Sequence, residues 1–119
     1  MSTNSKLTKR SLKQIEKITG EKLTLGRFLW AIRKADDMTQ VDFAKKLGIS
    51  KQHLCDIEHN RKNISTSLAG TYAVKLGYAR EQFIRLSLQD MLDREGLDYT
   101  VELKKGRSQN GAGHLSYAG

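Results

Sequence analysis

The chain is poor in the residues that lock or cross-link a fold. Among its 119 residues there is one cysteine, Cys55, which excludes an intramolecular disulfide. Proline is absent altogether, so helix boundaries have to come from caps and glycines. No apolar run is long enough for a signal peptide or a membrane span, so the chain is expected in the cytoplasm with no membrane partner. The three histidines, His53, His59 and His114, lack partners at metal-ligand spacing. No phosphate-binding glycine loop or nucleophile elbow occurs. The expectation is a protein without metal or cofactor that is not an enzyme.

What is present is basic charge. The formal net charge is +8 and the isoelectric point near 9.7, which favours an anionic partner. The charge is unevenly spread: residues 1–23 carry +4, residues 24–79 carry +4, residues 80–103 carry −3 and residues 104–119 carry +3. The acidic stretch is expected to face away from the anion and towards protein.

The most informative stretch is 39–62, TQVDFAKKLGISKQHLCDIEHNRK, which reads as two short helices joined by a tight turn. Thr39 can cap the first, in which Phe43, Ala44 and Leu47 recur on one inward face. Gly48 sits where that helix ends and a left-handed backbone is needed. Ser50 caps the second helix. There Leu54 and Ile57 share the inner face, and Gln52, Asp56 and His59 lie opposite them at 100° per residue. Ala44 is small where the two helices should cross. An outer face of Lys51, Gln52, His53 and Asp56, held by a partner helix, suits reading base edges in a DNA major groove.

At these residues the chain resembles the Cro/C1-type helix-turn-helix family, also called the xenobiotic-response-element (XRE) family of bacterial and phage transcriptional regulators. The likeness extends to LGRFLWAIRK at 25–34, to IEHNRK at 57–62 and to AVKLGY at 73–78, covering roughly 24–92. The resemblance implies an internal ion pair between Arg33 and Glu58, a phosphate contact from Gln40, and base-facing roles for Lys51, Gln52 and Asp56. Two departures stand out. Asp56 replaces the neutral or basic residue of several relatives, and so either accepts from a cytosine amine or repels phosphate. His59-Asn60 replaces the more usual Asn-Gly, with Asn60 as the left-handed residue.

The rest of the chain completes an all-α expectation: a five-helix Cro/C1-type domain at 24–94, preceded by a basic helical extension at 1–23. Leu12, Ile15 and Ile18 give that extension a helical stripe. Thr24 caps helix one, whose inward stripe is Leu25, Leu29 and Ile32; Phe28 and Trp30 fall outside this stripe, as a partner surface or beneath the extension. Ser65 caps helix four, with Leu68, Tyr72, Ala73 and Leu76 inward and Gly70 costing about 1 kcal/mol relative to alanine. Helix five carries Phe83, Ile84, Leu86, Leu88, Met91 and Leu92 on more than one stripe, so part of it is expected in a dimer interface. Gly96 ends it.

Beyond Gly96 the period changes to two. Leu97, Tyr99, Val101 and Leu103 alternate with Asp98, Thr100, Glu102 and Lys104, the pattern of a strand buried on one face. With no second strand candidate, the segment 95–105 is expected to pair with itself across a two-fold axis, or to add to another protein's sheet. The tail at 106–119 is too poor in apolar residues to fold alone.

The composite expectation is a sequence-specific regulator of double-stranded DNA, a homodimeric repressor of a palindromic operator, nucleoid-associated when bound. The residues expected at DNA are Gln40, Ser50, Lys51, Gln52, His53, Asp56, Arg61 and Lys62. Lys45 and Lys46 are further phosphate candidates, explained equally by a solvated helix face. The alternative is an antitoxin that neutralises a toxin protein and autoregulates its operon. The strand after the helix-turn-helix is similar to the layout of antitoxins partnering Hip-type kinase toxins, and the N-terminal helix, Phe28, Trp30 and the acidic segment favour that reading.

Overall fold

A computed structural model describes residues 23–106 of the chain. They form five helices: α1 (Leu25–Ala35), α2 (Gln40–Leu47), α3 (Lys51–Glu58), α4 (Thr66–Leu76) and α5 (Arg80–Arg94). The expected N-terminal helix, its lysines, and the tail past Gly106 lie outside the described residues.

Four of the five helices begin on a hydroxyl. The side-chain oxygens of Thr24, Thr39, Ser50 and Ser65 accept from the main-chain N–H groups of Arg27, Asp42, His53 and Leu68 at 3.0–3.2 Å. Each satisfies one of the amides that a helix start leaves without an intrahelical acceptor. α5 starts at Ala79 without a side-chain cap. Its neighbour α4 ends at Gly77, and α2 at Gly48, with φ of 79° and 80°. In both cases the next N–H closes back onto a carbonyl five residues earlier, Tyr78 onto Ala73 and Ile49 onto Ala44. Lys75 adds to the α2 terminus, its Nζ donating to Leu47 O at 3.0 Å, where a cation meets the negative end of the helix dipole.

The core draws on all five helices: Phe28, Leu29 and Ile32 from α1, Phe43 and Leu47 from α2, Leu54 and Ile57 from α3, Ala69, Tyr72 and Ala73 from α4, Phe83 and Leu86 from α5. Ala44 is buried at the α2 crossing, as its size requires. Phe28 corrects the sequence reading. It is fully buried, in edge-on contacts with Tyr78 and Phe83 at ring separations of 5.9 and 5.3 Å. The physical reason is that Leu25, Phe28, Leu29 and Ile32 stand at i, i+3, i+4 and i+7, one continuous helix face. Trp30 is half-buried, with the Arg27 guanidinium 4.4 Å from its ring centroid. Leu68 is a second correction: it is 40% exposed, and Ala69 takes the inward position, in phase with Tyr72, Ala73 and Leu76.

No strand forms among the described residues. After Gly96, whose φ of 73° turns the chain, Leu97 N–H bonds Leu92 O and the backbone runs on without regular structure to Gly106. The strand expected at 97–105 therefore finds no partner strand among the described residues. Its apolar residues are open to solvent apart from Val101, which is half-buried. No helix among these residues is long and apolar enough to cross a membrane.

Candidate nucleic-acid interface

α2 and α3 are joined by Gly48, Ile49 and Ser50, and the left-handed Gly48 sets the angle between them. α3 buries Leu54, Ile57 and Glu58 and leaves Lys51 and Gln52 exposed, with His53, Cys55 and Asp56 half-buried at its flanks. A single face of polar groups results, backed by a rigid apolar one.

Three devices fix α3 on the body of the protein. The first is the ion pair implied by the resemblance. Arg33 Nε lies 2.7 Å from Glu58 Oε2, Nη2 donates to Oε1 at 3.1 Å, and Nη1 donates to Met38 O at 3.0 Å. Glu58 is only 1% exposed, so its charge is stabilised by this bidentate fork. The second device is Gly26, which the sequence reading passed over. A Cβ there would overlap Ile57 O and crowd Asn60 Oδ1, so α1 meets the last turn of α3 only because the position is glycine. The third is the exit of α3. Asn60 takes a left-handed φ of 61°, as expected, and its Oδ1 accepts from Thr24 Oγ1 at 2.8 Å. The cap of α1 and the exit of α3 are thereby one hydrogen-bonded unit.

The outer face is internally wired. Gln52 Nε2 donates to Asp56 Oδ1 at 3.1 Å, and Arg61 Nε donates to the same oxygen at 3.0 Å. The Arg61 guanidinium beside Asp56, aided by the Gln52 amide, holds its carboxyl below the usual aspartate range. Asp56 is thus a carboxylate paired with a cation, which lessens the repulsion its charge would present to phosphate. His59 Nδ1 approaches Cys55 O at 2.8 Å at the helix end.

The expected site residues separate into two groups. Lys51, Gln52, His53, Asp56, Arg61 and Lys62 lie together on α3 and the loop following it, with Ser50 at its start; Lys45 and Lys46 are exposed on α2. Gln40 differs. It is half-buried, and its Nε2 donates to Glu58 Oε1 at 3.0 Å, joining the Arg33 pair instead of standing free. Among the described residues, no three His, Cys, Asp or Glu side chains gather as a metal site would require.

A second polar cluster escaped the sequence reading. Asp90 Oδ2 accepts from Leu25 N–H at 3.0 Å, capping α1 from α5, beside a small cavity shared with Asn60, Lys62 and Asn63. Burial pushes the carboxyl up to about 6 against that hydrogen bond. Gln89, 6% exposed, uses both ends of its amide on the C-terminal segment: Nε2 donates to Tyr99 O and Oε1 accepts from Val101 N, each at 2.8 Å. A polar residue one position from the apolar line of α5 was the only signal for it.

Comparison with known proteins agrees with this geometry. The Helix-turn-helix family model matches residues 31–83. The chain is 42% identical over 55 residues to an immunity repressor protein of Bacillus phage phi105, a span that is 46% of this chain and 38% of that protein. No solved structure matches significantly.

Proposed function

From the premise that residues 31–83 are a helix-turn-helix domain, we propose that the chain is a DNA-binding transcriptional repressor that inserts α3 into the major groove. The observation that carries this is the outer face of α3, with its base-reading groups wired to each other and its inner face locked by Arg33, Gly26 and Asn60. A reader of base edges needs such rigidity, because discrimination rests on donors and acceptors already aimed.

Gln52 is the principal base reader. One of its amide hydrogens is on Asp56, which leaves the other hydrogen and Oε1 for the N7 and N6 of an adenine. Asp56 acts by orienting Gln52 and Arg61. Lys51 donates to guanine O6 or N7, and His53 and Ser50 border the same groove. Lys62, with Lys45 and Lys46, neutralises phosphates and adds affinity without sequence information, while the Arg61 charge is shared with Asp56. Gln40 reaches phosphate with the amide hydrogen not used on Glu58.

The repressor acts as a two-fold dimer joined through the segment after α5. Two copies of α3 then stand about 34 Å apart, one DNA turn, and select a palindromic operator. The phage repressor to which the chain is similar supports a repressing role at a promoter. The antitoxin alternative loses one of its motives, because Phe28 is core and offers no partner surface.

The test is selection of bound duplexes from a random DNA pool by the purified full chain. A conserved palindromic motif is expected; no preference over scrambled competitor at moderate ionic strength refutes the reading.

A further inference from the structure

In the segment after Gly96, the bonds from Gln89 occupy one side of residues 99–101 and leave the opposite edge open. In extended backbone the N–H and C=O of one residue point to the same edge, and successive residues alternate. Tyr99 O and Val101 N are bound to Gln89, and Tyr99 N–H closes onto Leu97 O. Tyr99 and Val101 therefore spend these main-chain groups on α5 and on the turn at Asp98. Those of Thr100 and Glu102 have no partner among the described residues and, where the backbone is extended, face the opposite edge. Leu97, Tyr99 and Leu103 are 42%, 70% and 40% exposed, so the side chains too lack the cover that their alternation calls for.

We propose that this edge pairs antiparallel with the same edge of a second copy in one register, Val101 opposite Val101, with Gln89 as the residue that positions it. The proposal rests on the dimer put forward above and specifies its interface. Charge selects the register. With Val101 central, Asp98 faces Lys104 at both ends of the ribbon, Tyr99 faces Leu103, and Thr100 and Glu102 exchange main-chain hydrogen bonds through the edge that is free. A shift that centres Thr100 sets Asp98 against Glu102 twice, and one that centres Glu102 sets that carboxylate against its own copy. Like charges directly opposite one another are unfavourable, so both neighbouring registers are penalised. The acidic balance of 80–103 would otherwise oppose self-association; Lys104 lies just beyond it and supplies the compensating cation.

The register is tested by single cysteines at positions 99 to 103 in the full chain with Cys55→Ser, oxidised mildly and read as covalent dimer. Val101 is the only position that meets itself, and as a non-hydrogen-bonded pair its side chains approach closely enough for a disulfide. Expected is efficient linkage for Val101→Cys and little for Thr100→Cys or Glu102→Cys. Preferential linkage at Thr100→Cys or Glu102→Cys overturns the register while leaving the dimer. A dimer by sedimentation with no linkage at any of the five positions removes the segment from the interface. A monomer by sedimentation refutes the dimer and the register together. Independently, Asp98→Lys and Lys104→Asp should each raise the dimer dissociation constant about tenfold, and the double exchange should return it to within about threefold. Failure of the double exchange to restore association overturns the pairing of Asp98 with Lys104.

Discussion

Arg33 and Glu58 form a buried fork between the end of α1 and the end of α3, with the carboxylate 1% exposed and a third donor, Gln40, on the same group. Removing one partner strands a charge in the core. Arg33→Ala is expected to lower unfolding free energy by about 3–5 kcal/mol, whereas Arg33→Met with Glu58→Leu should lose far less, since no unpaired charge remains. Urea unfolding of the three proteins measures both; equal losses in the single and double variants would show that the pair matters by packing alone.

Two glycines inside helices should respond to alanine with opposite signs. At Gly70 the added methyl meets Ile84 and Arg80 at 3.6–3.7 Å, an ordinary contact, so Gly70→Ala is expected to stabilise by about 1 kcal/mol through helix propensity. At Gly26 the methyl would overlap Ile57 O, and overpacking of about 3 kcal/mol outweighs the same propensity gain. Thermal melts decide this, and a stabilised Gly26→Ala would contradict the close approach of α1 to α3.

Asp90 gives stability a pH dependence of known sign. Its folded value, about 6, lies above the ordinary 3.8 because burial disfavours the charged form. The proton is held more tightly in the folded protein. The associated stability is therefore fully present below about pH 4 and lost as pH rises through about 6. Asp90→Asn, which keeps an acceptor for Leu25 N–H, should match the parent at pH 4. At pH 7.5 it should exceed the parent by about 1–2 kcal/mol, the shift being discounted for partial exposure. Denaturant titrations at the two pH values test this, and a constant difference would assign the effect elsewhere.

The readout itself is tested by repeating the DNA selection with three variants. Gln52→Ala should relax preference at one position of each half-site at a cost of about 1–3 kcal/mol. Asp56→Ala should blur the same position, because the Gln52 amide loses its anchor. Gln40→Ala should weaken all sequences evenly. An unchanged motif with Gln52→Ala would remove that residue from base recognition.

How much of this was legible in the chain depended on the range of the interaction. Caps at Thr24, Thr39, Ser50 and Ser65, the glycine stop at Gly48 and the left-handed Asn60 are decided within four or five residues, and local chemistry is written in local sequence. Periodicity placed the faces of α2 and α3 correctly. It misassigned Phe28 and Leu68, because a helix stripe is wide and only the neighbouring helices settle how far round the helix burial extends.

The sequence by itself determined the helix-turn-helix and the groups on its outer face, since both follow from hydroxyl caps, a glycine stop and a 100° repeat. The tertiary structure alone decided what holds those groups: Gly26 against Ile57, Asp90 under Leu25, Gln89 beneath residues 99–101, and Gln40 drawn onto Glu58. Except for the bonds from Gln89, which reach ten or twelve residues, these contacts join residues far apart in the chain. Each depends on the meeting of elements whose separate patterns carry no trace of the other.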